Sequence, residues 1–581
     1  MPPLNTKFAL RNASILGVYG IITFVMTWPW ILHFTTHTPD WGGEGSVGLW
    51  GIWQFRYGLL HGSPFETNLL LPPYKINLVF FHSFSRAILA LPLQSVFDLV
   101  IANNLLTLFS FSLSGLGMWL LAYDLTGDER ASFIAGLVYA FTPYRFAHLS
   151  GHYSLITIEW FPFAALYMLR YFRDGGRMEL VLAALLALMT SLTDVYYSLY
   201  LFTWSGLLIL FQLIVNTERS KTRVRAVSLI GSALLIHLPF VGLLFWGLSQ
   251  GGLTNRPAGA EMLETYSADL AGFITPGIQH PLFGAWAERI SRTWNTQFAE
   301  HTVYLGMLPI LLMIIATFML KRWPIETRWW ILAFWIFFLL ALGPTLHWRG
   351  HDIFPLPYQW FVEIPFFREA RVPSRWIIMG IMSLAVIVGQ VLSWAAQNWK
   401  KYSLFINAFA GLIILFEYLP IPLVLGDRSV PLVYQTIAQD SSDGSVLDMP
   451  FAINDSFRSL GAWNPRAMYY QTITARPLIG SHISPLPNYI FEAYVRLPII
   501  RRLAQVEQGA SYSAEDVTYD QQIRDDLVKS INLRFIVIPD WYAEESGTKY
   551  ILKVFDGCLE NLRGDEKATG YRILSPCPLT E

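Results

Sequence analysis

Runs of about twenty mostly apolar residues recur along most of this chain, and they limit its fold more than any other feature. A helix that crosses a bilayer needs roughly 20 such residues. Read with that window, the sequence predicts about eleven spans, near 14–34, 104–123, 131–147, 154–172, 178–193, 196–215, 226–248, 304–320, 329–346, 376–396 and 403–424. Charged residues make up only 14% and hydrophobic ones 53%, against about 25% charged in a soluble domain. The chain has 581 residues and a net charge of -1, which excludes a disordered chain and a nucleic-acid binder with a basic face. The first span is expected to be retained, because Trp28-Pro29-Trp30 stands where a cleaved leader would carry small residues.

Charge is unevenly spread. From Leu425 onward, 35 charged side chains fall in 157 residues. The chain therefore divides into an all-α polytopic membrane domain, 1–425, and a small α/β domain of soluble composition, 426–581. Basic residues mark one side of the membrane: Lys7 and Arg11, then Arg170, Arg173 and Arg177, then Arg219, Lys221, Arg223 and Arg225, then Lys321, Arg322 and Arg328, then Lys400 and Lys401. By the positive-inside rule that side is cytoplasmic. The protein is then a multi-pass plasma-membrane protein with its N-terminus inside and its C-terminal domain outside. This parity needs residues 79–103, which Arg86, Asp98 and Asn103-Asn104 interrupt, to be an interfacial or re-entrant helix.

The outer loops collect the polar chemistry. The first, 35–80, carries Asp40, Glu44 and the aromatic stretch with Trp50 and Trp53. The second carries His148 and His152, spaced to share one helix face and suited to a metal or a phosphate. Asp194 precedes Tyr196 and Tyr197, and is either a site carboxylate or a helix cap. Glu300-His301 precedes a span, as an interface anchor or a site pair. Arg368, Arg371 and Arg375 break the positive-inside trend; they either grip an anion or pair with Glu369 or Asp352. Ionisable groups beside lipid are costly and usually mark a site. Together they predict a reaction chamber at the outer membrane surface. No Walker loop, dinucleotide fingerprint, HExxH or nucleophile elbow occurs.

This layout resembles the GT-C superfamily of membrane glycosyltransferases, which includes protein O-mannosyltransferases, the lipid A aminoarabinose transferase and mycobacterial arabinofuranosyltransferases. Asp40 and Glu44 before the Trp50/Trp53 stretch, the second-loop histidines, Ser267-Ala268-Asp269-Leu270 and Arg371-Val372-Pro373-Ser374-Arg375 carry the resemblance. It implies sugar transfer from a polyprenyl-phosphate donor to a glycan, lipid or protein acceptor outside the bilayer, in a bacterial cell envelope. Glu44 or Asp40, with Asp194, would be catalytic. Arg371, Arg368, Arg375, His148 and His152 would bind the donor phosphate. Trp50, Trp53, Tyr196, Tyr197, Glu300 and His301 would meet the acceptor. A divalent metal, Mg or Mn, is an option that the resemblance leaves open, with Glu44, His148 and His152 as the candidates to hold it. Two other readings stay open: a transporter or flippase of lipid-linked saccharide, and a non-catalytic envelope-assembly protein of the same fold.

In the C-terminal domain, 445–449 and 534–539 read as buried strands, 488–508 as a helix, 549–562 as a helix and 570–574 as a strand. Tyr469-Tyr470-Gln471-Thr472, with Pro477 and His482, either suits a sugar or the chamber mouth or is a purely structural loop. Cys558 and Cys577 could pair in an oxidising compartment.

Overall fold

A computed structural model describes residues 6–40, 43–250, 260–294, 298–364, 367, 370–455, 458–574 and 577. The N-terminal part is helical. Its principal helices are α1 Thr6–Met26, α2 Gly45–His61, α3 Phe84–Gln94, α4 Leu99–Thr126, α5 Glu129–Ala140, α6 Pro143–His148, α7 Trp160–Asp174, α8 Arg177–Thr193, α9 Val195–Val215, α10 Arg219–Ser249, α11 Met307–Phe318, α12 Ile325–Ala341, α13 Ile377–Asn398 and α14 Ser403–Glu417.

Every predicted apolar run contains a helix, but the expected count of eleven full-length spans needs correction. Among the described residues, five helices are long and apolar enough to cross a membrane: Ala9–Met26, Leu99–Thr126, Val195–Val215, Arg219–Ser249 and Pro373–Asn398. The others in those runs are 12 to 17 residues long. At 1.5 Å per residue they rise roughly 18–26 Å, short of a hydrocarbon core of about 30 Å. The apolar window of α13 is 94% buried, against 17% for α1 and α10. So α13 is the axis of the bundle and α1 and α10 turn their apolar sides outward.

Close packing near the axis uses absent side chains. A Cβ on Gly136 would lie 1.8 Å from Tyr19 Oη, and one on Gly115 2.5 Å from the Tyr19 ring. Tyr19 is thereby seated between α4 and α5, and its hydroxyl donates to Phe133 O at 2.9 Å.

The stretch 79–103 is not one interfacial helix. It divides into α3 and the first turn of α4, because Asp98 caps α4 by accepting from Ile101 N at 2.9 Å.

The C-terminal part is mixed α/β. Its strands are β3 Ser445–Asp448, β4 Ala452–Asn454, β5 Ser459–Gly461, β6 Ser481–His482, β7 Leu533–Pro539, β8 Leu559–Asn561 and β9 Ala568–Ile573, after β1 His37–Pro39 and β2 Leu425–Asp427. The main sheet has the order β8-β9-β7-β3, with β7 parallel to β3 (Ile536 opposite Leu447) and antiparallel to β9 (Ile536 opposite Tyr571). A smaller sheet runs β6-β4-β5. The helix expected over 488–508 is split into Asn488–Arg496 and Pro498–Glu507, since Pro498 has no N–H to continue the first and suits the start of the second. The helix expected over 549–562 ends at Val554, and Leu559–Asn561 is strand. Ala514–Ser530 is a helix that the sequence reading missed, although Ser513 and Asp516 form its capping box. Cys558 and Cys577 are joined as a disulfide.

The first loop and the tail build one unit. β1 pairs antiparallel with β2, His37 opposite Asp427. Trp50, Leu70, Leu71, Ile76 and Leu78 share a core with Leu447, Ile453 and Ile536. Leu71 N donates to Leu478 O at 2.9 Å and Leu478 N to Leu69 O at 2.8 Å. Asp40 and Arg428 close this junction as an ion pair, each side chain 1% exposed. Breaking a buried pair by removing one partner strands a charge and costs about 3–5 kcal/mol. Thermal melting in detergent should therefore show large losses for Asp40→Ala and Arg428→Ala separately. The double variant should lose less than their sum.

Candidate active site

Asp40 is a junction residue. Its carboxylate accepts from Gly43 N at 3.0 Å and pairs with Arg428. Arg428 also donates to Thr38 Oγ1 at 2.9 Å and Ser46 Oγ at 2.8 Å. Together these bonds hold the start of α2, where Glu44 occupies the N-cap position.

Glu44 faces the second loop. A Cβ on Gly151 would lie 2.3 Å from Glu44 Cβ, so glycine there admits the carboxylate. Glu44 Oε2 lies 3.9 Å from His152 Nε2. Burial, then the charges of Asp40 and Glu300, push the Glu44 carboxyl up to about 7.

Behind it stands a second carboxylate of opposite character. Glu300 accepts from Arg375 Nε at 3.1 Å and also from Arg375 Nη2. His148 Nε2 faces it at 3.5 Å, while His148 Nδ1 donates to Tyr144 O at 2.8 Å. Burial opposes the Glu300 charge, but Arg375 and His148 prevail and hold the carboxyl well below its usual range. Arg375 is thus committed to Glu300.

Arg371 and Asp194 line a neighbouring cavity of about 410 Å³ together with Ser154, Tyr196, His82 and Ser484. The Arg371 guanidinium donates to Tyr196 Oη from Nε at 3.0 Å and Nη2 at 2.9 Å. Asp194 does cap α9, accepting from Tyr196 N at 2.8 Å, yet its other oxygen accepts from Ser154 Oγ at 3.1 Å beside the cavity. Val195 and Phe240 also line an apolar groove of about 380 Å³ between α8, α9 and α10, so cavity and groove adjoin.

Other predicted residues lie elsewhere. The Trp50 indole is fully buried and donates to Gln471 Oε1 at 2.6 Å, locking α2 to the C-terminal domain. Trp53 stacks on Tyr57 at 4.9 Å. Tyr197 is buried and donates to Leu155 O. His301 packs on Trp294 and accepts from Asp269 N at 3.4 Å; burial pushes it down to about 4. Trp50, Tyr197 and His301 are all buried. Arg368 lies outside the described residues. Arg428, Ser154, His82 and Ser484 were missed: polar residues in ordinary loops carry no periodic signal, and only the composition shift at Arg428 marked its region.

Among the described residues, no three His, Cys, Asp or Glu side chains converge to hold a metal ion. The proposed set Glu44, His148 and His152 does not fit one either, because Glu300 rather than Glu44 occupies the open side of His148.

The family described as "Domain of unknown function (DUF6311)" matches residues 17–415. The chain belongs to this family. No curated protein matches it. Among solved structures it resembles the archaeal oligosaccharyltransferase AglB from Archaeoglobus fulgidus in complex with an inhibitory peptide and a dolichol-phosphate. That likeness has 12% identity and a TM-score of 0.53, over 98% of this chain and 75% of the other. It also resembles the arabinofuranosyltransferase AftD from Mycobacteria, at 14% identity and a TM-score of 0.56, over 98% of this chain and 40% of the other. These likenesses establish a GT-C-like polytopic membrane fold with a C-terminal mixed α/β region for this DUF6311 chain.

The raised Glu44 carboxyl has a measurable signature. Below pH 4.5 it is protonated in both folded and unfolded chains. Between 4.5 and about 7 only the unfolded chain ionises, so the wild type loses stability as pH rises. Glu44→Gln should leave the melting temperature unchanged near pH 4 and raise it at pH 8.

Proposed function

We propose that this protein is a membrane glycosyltransferase that moves a sugar from a polyprenyl-phosphate carrier to an acceptor hydroxyl on the extracytoplasmic face. The observation that carries the reading is that the Arg371–Asp194 cavity adjoins an apolar groove, with Val195 and Phe240 in the wall of both. A guanidinium beside a long apolar slot matches a phosphate on an isoprenoid chain. The capture of dolichol-phosphate by AglB, which shares the fold, supports the same donor class.

The reaction is a single displacement. Glu44 accepts the proton of the acceptor hydroxyl as its oxygen attacks the anomeric carbon. The bond from that carbon to the phosphate oxygen breaks, and polyprenyl phosphate leaves with the electron pair. Arg371, oriented by Tyr196, stabilises the charge growing on the phosphate. A carboxyl poised near neutrality is a better base than an ordinary glutamate. Asp40, being tied to Arg428, serves to place Glu44 and not to accept the proton.

Turnover of polyprenyl-phosphate sugars by the detergent-solubilised full chain tests this and separates it from a flippase or an inactive relative. Transfer should fall as pH drops through about 7, since only ionised Glu44 accepts a proton. Glu44→Gln should slow transfer by roughly 10²–10⁴-fold and abolish that pH dependence. Transport of an intact lipid-linked saccharide with no transfer, or full activity in Glu44→Gln, would remove the assignment.

A further inference from the structure

Beside that cavity lies a second lobe, of about 200 Å³, between α2 and α3. Val47, Gly51, Arg86, His152 and Tyr153 line it, and it meets the first lobe at Phe81, His82, Ser83 and Ser154. Its distinctive group is Arg86, only 4% exposed. Arg86 Nη2 donates to Asn103 O at 3.0 Å, Asn103 Oδ1 at 2.9 Å and Thr107 Oγ1 at 2.8 Å, and the guanidinium stacks on the Tyr153 ring at 4.7 Å.

All these partners are neutral. Among the described residues no carboxylate reaches ion-pair distance of Arg86. Glu159 acts only from further away, and its Oε2 accepts from Ser110 Oγ at 2.6 Å. Arg86 Nε is buried with no hydrogen-bond partner. A buried cation without a counter-ion is costly, and buried polar groups normally find partners. Here the cation borders an open cavity whose far wall is His152, the neighbour of Glu44.

We infer that this lobe receives an anionic substituent of the acceptor saccharide, a carboxylate or a phosphate, and that Arg86 is its counter-ion. The assignment to the acceptor rests on the transferase reading above: with the donor phosphate beside Arg371, the acceptor hydroxyl enters from the side of His152 and Glu44. The lobe then favours charged sugars over neutral ones and fixes which hydroxyl meets the base.

Binding to the full chain in detergent tests this without turnover. The probes are methyl β-D-glucuronide, glucose 6-phosphate, methyl β-D-glucoside and undecaprenyl phosphate. At least one of the two charged sugars should bind tenfold or more tighter than the neutral glucoside, and which one does names the anion. Arg86→Gln should remove that preference and leave undecaprenyl phosphate affinity unchanged, while Arg371→Gln does the reverse. Val47→Trp fills the lobe while leaving residue 86 an arginine and should also remove it; this variant decides the matter if Arg86→Gln does not fold. Equal binding of charged and neutral sugars overturns the inference. So does unaltered charged-sugar binding in a folded Arg86→Gln or Val47→Trp protein. Loss of undecaprenyl phosphate with Arg86→Gln also overturns it, assigning Arg86 to the donor. Sugar transfer with no charged-sugar preference defeats this inference alone; a charged-sugar preference with no transfer defeats the transferase reading alone.

Discussion

The buried pair of Asp40 and Arg428 is the constraint on which the site depends. Taking both charges out of water is expensive, and only a nearly complete set of partners makes it tolerable. Asp40 has Arg428 and Gly43 N; Arg428 has Asp40, Thr38 and Ser46. The pair therefore holds only if the start of the first loop and the start of the C-terminal domain meet in one geometry. That geometry aims the first turn of α2, and α2 carries Glu44. The β1–β2 pairing and the Trp50–Gln471 bond repeat the same demand at two further points.

Two neighbouring carboxylates then diverge. Glu300 is enclosed and Glu44 half-buried, and desolvation pushes both carboxyls upward. Glu300 keeps its charge because Arg375 and His148 face it. Glu44 has a histidine at 3.9 Å and two other acids nearby. Environment and not residue type separates a carboxyl held ionised from one pushed toward neutrality. The arginines differ as well: Arg375 is matched to Glu300, whereas the charge of Arg86 borders a cavity with only neutral groups at hydrogen-bond distance.

Legibility followed periodicity. The eleven apolar runs were readable because a twenty-residue hydrophobic signal is strong, and each contains a helix. Their lengths were not, since helix ends depend on caps such as Asp98 that also look like ordinary loop acids. Strands at Ser445–Asp448 and Leu533–Pro539 were clear as buried apolar runs, while the helix Ala514–Ser530, polar on most sides, was overlooked. Glu44, His148, His152, Asp194 and Arg371 were singled out as ionisable residues at the ends of apolar runs. Arg428 and the role of Arg86 were not, because what distinguishes them is burial beside particular partners.

Sequence alone determined that most of this chain is helical and apolar, that its tail has soluble α/β character, and that its acids, imidazoles and guanidiniums collect in a few connecting loops. Those are properties of local composition and period. Tertiary structure decided which acid is a clasp and which is pushed toward neutrality, and which buried arginine has a carboxylate against it. Such choices depend on distances between segments hundreds of residues apart, as between Asp40 and Arg428, and the energy of a charge is set by those distances and by the water they exclude.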